Sequence, residues 1–290
     1  MTRPDCVVNI WDLAGEPRPR FTSGTNVKSV VRNPSDAVGL TQMGVHLRCV
    51  EPGQVGTNRH FHTVEEEWTY VLSGVGAVRI GPHRLPVRAG TFVGFPPGPR
   101  PHHFIAAGSA TLVLLEGGER RPGEDVGCYV DIPRWWSAGG FLDRAEAPPP
   151  EEGDAAQCVH IDDLPIEAFQ HDVDAGAHRR MRRLQRPTGL VRQAVAWAQI
   201  AAARSTAFHT HTRTDEWILI LDGRALVRVG AARFAVGPGD FIGHPAGGGA
   251  HCMEVDAELT YLVGGQIDAQ DVTIYPDAGV RREGGVLRGG

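Results

Sequence analysis

The chain has 290 residues, 41% hydrophobic and 22% charged, which suits one large or two ordinary domains. A net charge of −5 and a pI near 6.2 exclude binding to nucleic acid or a membrane surface through overall charge. No basic start precedes an apolar stretch and no apolar run approaches about 18 residues, so neither a signal peptide nor a membrane span is expected. Five cysteines (Cys6, Cys49, Cys128, Cys158 and Cys252) without a C-x-x-C spacing suit reduced thiols and a cytoplasmic location.

In chain order, residues 1 to about 40 read as an arm. "RHFHTVEEEWTYVLSG" (59–74) follows, with His60 and His62 two apart, three glutamates, and an apolar run closed by glycine. "EWTYVLSG", "GAVRIG" and "TLVLLEGG" are rich in β-branched and aromatic residues and are punctuated by Gly and Pro, so each reads as a short strand. The proline-rich, acidic stretch 146–157 reads as a surface linker, which divides the chain into 1–145 and 158–290. Beyond it, "IDDLPIEAF" leads to a basic knot, Arg179, Arg180, Arg182 and Arg183, expected as a solvated surface turn. "FHTHTRTDEWILILDG", "RALVRVG" and "LTYLVGG" then repeat the earlier plan.

The repeat has a fixed offset. His60 and His209, His62 and His211, Glu67 and Glu216, and Gly74 and Gly223 are each 149 residues apart. So are Gly90 and Gly239, Pro96 and Pro245, Gly98 and Gly247, and His102 and His251. This is the mark of two copies of one module, each large enough for its own core.

Strand parity converts the repeat into chemistry. Histidines at i and i+2 share one face of a strand, so His60 and His62 converge. Glu67 opens the next strand, and the offset selects His102 over His103, which corresponds to Cys252. By the same register Glu65 and Glu66 read as solvated turn residues. Three imidazoles and a carboxylate suit Fe(II), Mn, Ni, Co, Cu or Zn, one ion per module. Four protein ligands on an octahedral ion leave two positions open, the design of a reactive rather than a structural site. Parity also directs Thr69, Val71, Phe104 and Ala106 into the first pocket and Ile218, Ile220, Met253 and Val255 into the second. Such a lining is mainly apolar and suits an organic substrate. His46, His83, His160, His171, His178 and His244 lack repeat support and read as structural or exposed.

The pattern H-x-H-x4-E-x6-G followed by G-x5-P-x-G and a histidine resembles the two signature motifs of the cupin superfamily, over two modules of roughly 110 residues each. The resemblance implies an all-β chain of two tandem cupin-type double-stranded β-helix (jelly-roll) barrels. The first motif departs at its start, where Gly56 lies four residues before His60. Cupins that decarboxylate oxalate carry an arginine three residues before the first histidine; Thr57 and Thr206 stand there, which ranks that activity low. The asparagine that cupins often hold four residues after the third histidine is replaced by Ala106 and Val255.

The leading functional expectation is therefore a non-haem Fe(II) dioxygenase acting on an aromatic or enol-like small molecule. The alternatives are a metal-dependent isomerase or a (de)carboxylase/lyase and, in another class, a non-catalytic ligand-binding cupin. The expected partner is a small-molecule substrate, with a second copy of the chain as an option.

Overall fold

A computed structural model describes residues 4–17, 28–132, 134–143 and 153–289. Its strands follow the β-branched and aromatic runs, and the chain folds as two β-sandwich modules. In the first, one antiparallel sheet contains Thr91–Phe95, Glu67–Ser73, Leu112–Glu119, Met43–Val50 and Ser29–Arg32 in that order. The facing sheet carries Gly127–Tyr129, His60–His62, His102–Ala107, Val75–Ile80 and His83–Arg88. Val50, Val71, Val78, Phe104 and Leu114 fill the space between them. The second module repeats the plan around Ile218, Ile220, Val227, Met253 and Tyr261. Gly74 (φ +85°) and Gly223 (φ +86°) close the central hairpins where an L side chain would be strained. A Cβ at either would also lie within 2.5 Å of a backbone carbonyl oxygen, Thr111 or Glu258.

The modules exchange strands. Val7–Asn9, in the N-terminal arm, pairs with Asp240–His244 and so lengthens the main sheet of the second module. Cys158–His160, just past the linker, pairs in turn with Thr91–Phe95 of the first. Sheet membership therefore crosses the linker in both directions. Of the stretch 146–157, residues 146–152 lie outside the described residues; the rest ends in a capped 3-10 turn, Ala155–Gln157.

A third hydrophobic cluster joins the modules, centred on Trp68 stacked on Trp217 at 5.2 Å between ring centroids. Strand alternation aims these indoles away from the barrel interiors. Around them runs a reciprocal clasp. Glu66 accepts hydrogen bonds from the backbone amides of Val191, Arg192 and Gln193. Asp215, its counterpart 149 residues on, accepts from Thr41 and Gln42. Glu119 adds an ion pair to Arg192 at 2.7 Å. The expectation that Glu66 is a solvated turn residue is thus overturned: it is 1% exposed, because the other module supplies donors that its own lacks.

The arginine knot is also not a turn. It forms the strand His178–Arg183, where alternation sends the side chains to different places. Arg180 faces solvent, Arg183 pairs with Glu167, Arg182 lies over Trp197, and Arg179 points at the second module's site. All five cysteines are free thiols. No helix among the described residues is long and apolar enough to cross a membrane.

Candidate metal centres

In the first module the strand His60–His62 buries Phe61 and turns both imidazoles the other way. His102 opens its own strand in register with His60, and Glu67 faces them from the opposite sheet. Glu67 lies 3.7 Å from His60 Nε2, 3.4 Å from His62 Nε2 and 3.3 Å from His102 Nε2. In the second module the distances from Glu216 to the Nε2 atoms of His209, His211 and His251 are 3.2, 3.8 and 3.0 Å. Donor atoms lying within 4.8 Å of one another are supplied by His60, His62 and Glu67 in one module and by His209, Glu216 and His251 in the other.

The outer imidazole nitrogens establish which atoms remain free. Nδ1 of His60, His102, His209 and His251 each faces a backbone carbonyl, at 2.8 to 3.4 Å. Nδ1 of His62 and of His211 faces an aspartate instead, Asp125 at 2.5 Å and Asp271 at 2.6 Å. A carbonyl or carboxylate only accepts, so Nδ1 is the donor on that side and each Nε2 is the atom turned towards the glutamate, where an ion could replace any proton it holds. Glu67 Oε2 is buried with no hydrogen-bond partner. Three inward Nε2 atoms and one inward carboxylate in each domain, with a buried Glu67 oxygen that lacks a partner in the first, are the donor set that a divalent cation satisfies.

The electrostatics agree. Burial would raise the Glu67 carboxyl, but the charge of His62 and the neighbouring rings of His102 and His60 hold it below the usual range. Glu216 is likewise held well below, by His209 and His251 against burial. Both therefore stay ionised. Burial pushes His60 down to about 3, which keeps it neutral. His62 and His209 run the other way: burial lowers both, but Glu67 and Asp125 together raise His62 to about 9, and Glu216 raises His209.

Two stretches of the chain, 46–117 and 196–265, match the cupin domain family. The chain is a two-domain cupin.

Solved structures place this bicupin's fold beside oxalate decarboxylases. That of Bacillus subtilis is 16% identical, with a TM-score of 0.59, over 91% of this chain and 76% of that one. An oxalate decarboxylase studied for its substrate binding mode and a reaction-specificity switch is 15% identical, with a TM-score of 0.61, over 91% and 77%. A third structure, from work on the Mn(II) centres of the Bacillus subtilis enzyme, is 15% identical, with a TM-score of 0.59, over 91% and 78%. At these identities the similarity concerns the fold. No curated protein matches the sequence.

Each centre of the bicupin opens on a cavity. That of the first domain, about 520 Å³, is walled by Thr57, Thr69 and Phe104 but also by His46, Arg48 and Glu116. That of the second, about 460 Å³, is bounded by His171, Arg179, Thr206, Tyr275 and Arg282. The expected apolar lining is therefore only partly present. Ile218 and Met253 edge a small recess of about 10 Å³ beside Glu216. Val71, Ala106, Ile220 and Val255 lie in the barrel cores instead. They share the parity of the pocket residues, but two residues further along a strand is about 6.6 Å deeper, where packed side chains already fill a small barrel.

His244, the histidine hardest to place, stacks on His251 at 3.4 Å between ring centroids, as Phe95 stacks on His102 at 3.5 Å. Burial, with His251 close by, holds His244 well below its usual pKa, so it packs as a neutral ring. His103 points off the opposite face of its strand from His102 and is partly buried.

Asp125 and Asp271 escape the sequence reading, as do Tyr129 and Tyr275, which lie over His60 and His209. A signal exists. "EDVGCYV" and "QDVTIYP" align with one another at an offset of 146, because the second copy is three residues shorter after its third histidine.

Proposed function

We propose that this bicupin is a divalent-metal-dependent enzyme of the lyase or isomerase type, acting on small oxygenated molecules, with His60, His62, Glu67 and His102 holding one ion and His209, His211, Glu216 and His251 the other. The observation that carries this reading is the set of six imidazoles whose outer nitrogens are tied and whose inner nitrogens face an ionised glutamate. When bound, the metal supplies Lewis acidity that polarises a carbonyl or carboxylate oxygen. The chain's own residues do the rest. Asp125 and Asp271 fix the tautomer and orientation of His62 and His211. Phe95 and His244 brace His102 and His251 from behind, and Thr69 and Phe104 limit water at the first site.

An Fe(II) oxygenase is the second reading, favoured by the aromatic wall of Phe95, Phe104 and Trp136 in the first domain. It loses ground because its expected pocket is mainly apolar, whereas arginines border both cavities. The fold neighbour with Mn(II) centres makes manganese the first ion to load. Manganese-loaded chain should convert members of a panel of small keto and carboxylic acids under strict anaerobiosis, with products followed by NMR. Glu67→Ala or Glu216→Ala should abolish turnover in the active domain. Conversion that consumes O₂ in step with substrate, and only with iron, would replace this reading with the oxygenase.

A further inference from the structure

The two domains differ at one corner of the barrel. In the first, Arg48 on Met43–Val50 reaches the Ser29 hydroxyl (2.9 Å) and is neutralised by Glu116 across the ladder (2.7 Å). The strands Met43–Val50 and Gln193–Ile200 correspond residue for residue, so Arg48 matches Ala198. His46 lies opposite Glu116 and Ala196 opposite Val263, so Glu116 matches Val263. Val30 lies opposite Cys49 and Arg180 opposite Gln199, which places Arg179 where the first domain has Ser29. The second domain thus brings its guanidinium to the same corner from the neighbouring strand. It has lost the acid that would neutralise it.

Arg179 has no ion pair among the described residues, and its Nε is buried without a hydrogen-bond partner. Its guanidinium lies over Phe169 at 4.9 Å, which holds it in place without cancelling its charge. It shares the walls of the 460 Å³ cavity with His209, His211 and Glu216. The buried Tyr261 hydroxyl borders the adjoining recess with it and is a neutral neighbour that leaves its charge uncancelled. Arg282, the other cation on this cavity, is occupied by Asp172 at 2.6 and 2.7 Å. At this corner the first domain's Arg48 and Glu116 cancel, whereas the second domain's Arg179 adds one positive charge beside Glu216 and its ion.

We infer that the second domain is the one that takes a carboxylate-bearing small molecule, with Arg179 gripping the carboxylate beside the metal. The inference rests on the metal-dependent reading above and adds the substrate class and the domain. A planar guanidinium presents paired donors to a carboxylate. A single unpaired cation suits a monoanion better than a phosphate dianion.

The test uses the full chain loaded with Co(II), titrated calorimetrically with pyruvate, with its neutral methyl ester and with inorganic phosphate, while metal content is measured on the same samples. Wild type should bind pyruvate in preference to the ester and to phosphate. His102→Ala, with metal confined to the second domain, should still bind it, and His251→Ala should not. Arg179→Gln should weaken pyruvate by about 10- to 100-fold while leaving two metals per chain. Arg179→Lys, which keeps the charge but loses the fork, should fall between; if the Gln variant does not fold, a roughly threefold or greater loss in the Lys variant decides. Pyruvate affinity within twofold of wild type in Arg179→Gln at full metal content overturns the role of Arg179 and leaves the metal-dependent reading standing. Phosphate binding more tightly than pyruvate, or no pyruvate binding by wild type, overturns the carboxylate assignment. A chain that takes up no metal removes both readings.

Discussion

Replacing Glu66 by alanine strikes the seam between the domains. Its two oxygens accept from the amides of Val191 and Arg192 at 2.9 Å each and of Gln193 at 3.2 Å, in a position 1% exposed. Hydrogen bonds to a charged group contribute about 1.5–3 kcal/mol each, so three bound the loss at roughly 4.5–9 kcal/mol. The Val191 side chain is 67% exposed, so water can reach that end of the segment and recover part of the loss. Removing one member of a buried charged network costs about 3–5 kcal/mol, which is the value we adopt. With a urea m value of about 3 kcal/mol/M, the unfolding midpoint should fall by roughly 1–1.7 M. Tryptophan fluorescence reports the Trp68–Trp217 stack directly, and far-UV circular dichroism reports the sheets. Asp215→Ala, which frees the amides of Thr41, Gln42 and Ala246, should cost a similar amount. A midpoint shift below about 0.3 M for Glu66→Ala would refute the clasp as a major source of interface stability.

Asp125→Asn should weaken metal binding in the first domain by about 10- to 100-fold and leave the second unchanged, with Asp271→Asn doing the converse. Metal titration of each variant checks this, and unaltered affinity in both would mean that the aspartates only fill space. The metal-free protein should lose stability on both sides of pH 6.5. His62, raised to about 9 in the folded state, stabilises fully below 6.5, and that contribution disappears as pH rises through 9. His60, lowered to about 3, contributes above 6.5 and loses its contribution as pH falls towards 3. Thermal melts in a chelator should show both flanks, and Mn(II) should remove the alkaline loss because His62 then carries metal in place of a proton. A flat melting temperature between pH 6.5 and 9 without metal would contradict the assigned environment of His62.

How much of this was legible depended on whether a residue's role lies within its own strand. The pairs His60/His62 and His209/His211 could be read because alternation along one strand decides their direction. Strand parity also points Thr69 and Phe104 inward, and both line the first cavity. It could not say how deep the barrel stays open, so Val71 and Ala106 were taken too far. Glu66 sits in a run of three acids, which reads as solvent-facing until a second domain supplies three amides. Asp125 and Asp271 were hidden by a change of offset from 149 to 146. Arg48 and Arg179 could not be matched by any offset, because they reach one corner from different strands. The exchange of Val7–Asn9 and Cys158–His160 is a pairing between distant segments that no local pattern records.

That exchange, with the reciprocal grip of Glu66 and Asp215 and the paired indoles, gives the interface the symmetry of an isologous dimer. In form, this bicupin matches two like subunits that trade N-terminal strands, joined in one chain. A homodimer alters both of its sites with every mutation. Fusion ends that constraint, since each copy can drift alone while the linker keeps its partner at high effective concentration. A cation on one strand in the first domain and on the next in the second, and Glu116 matched by Val263, are the kind of difference that only a fused chain can carry in one site at a time.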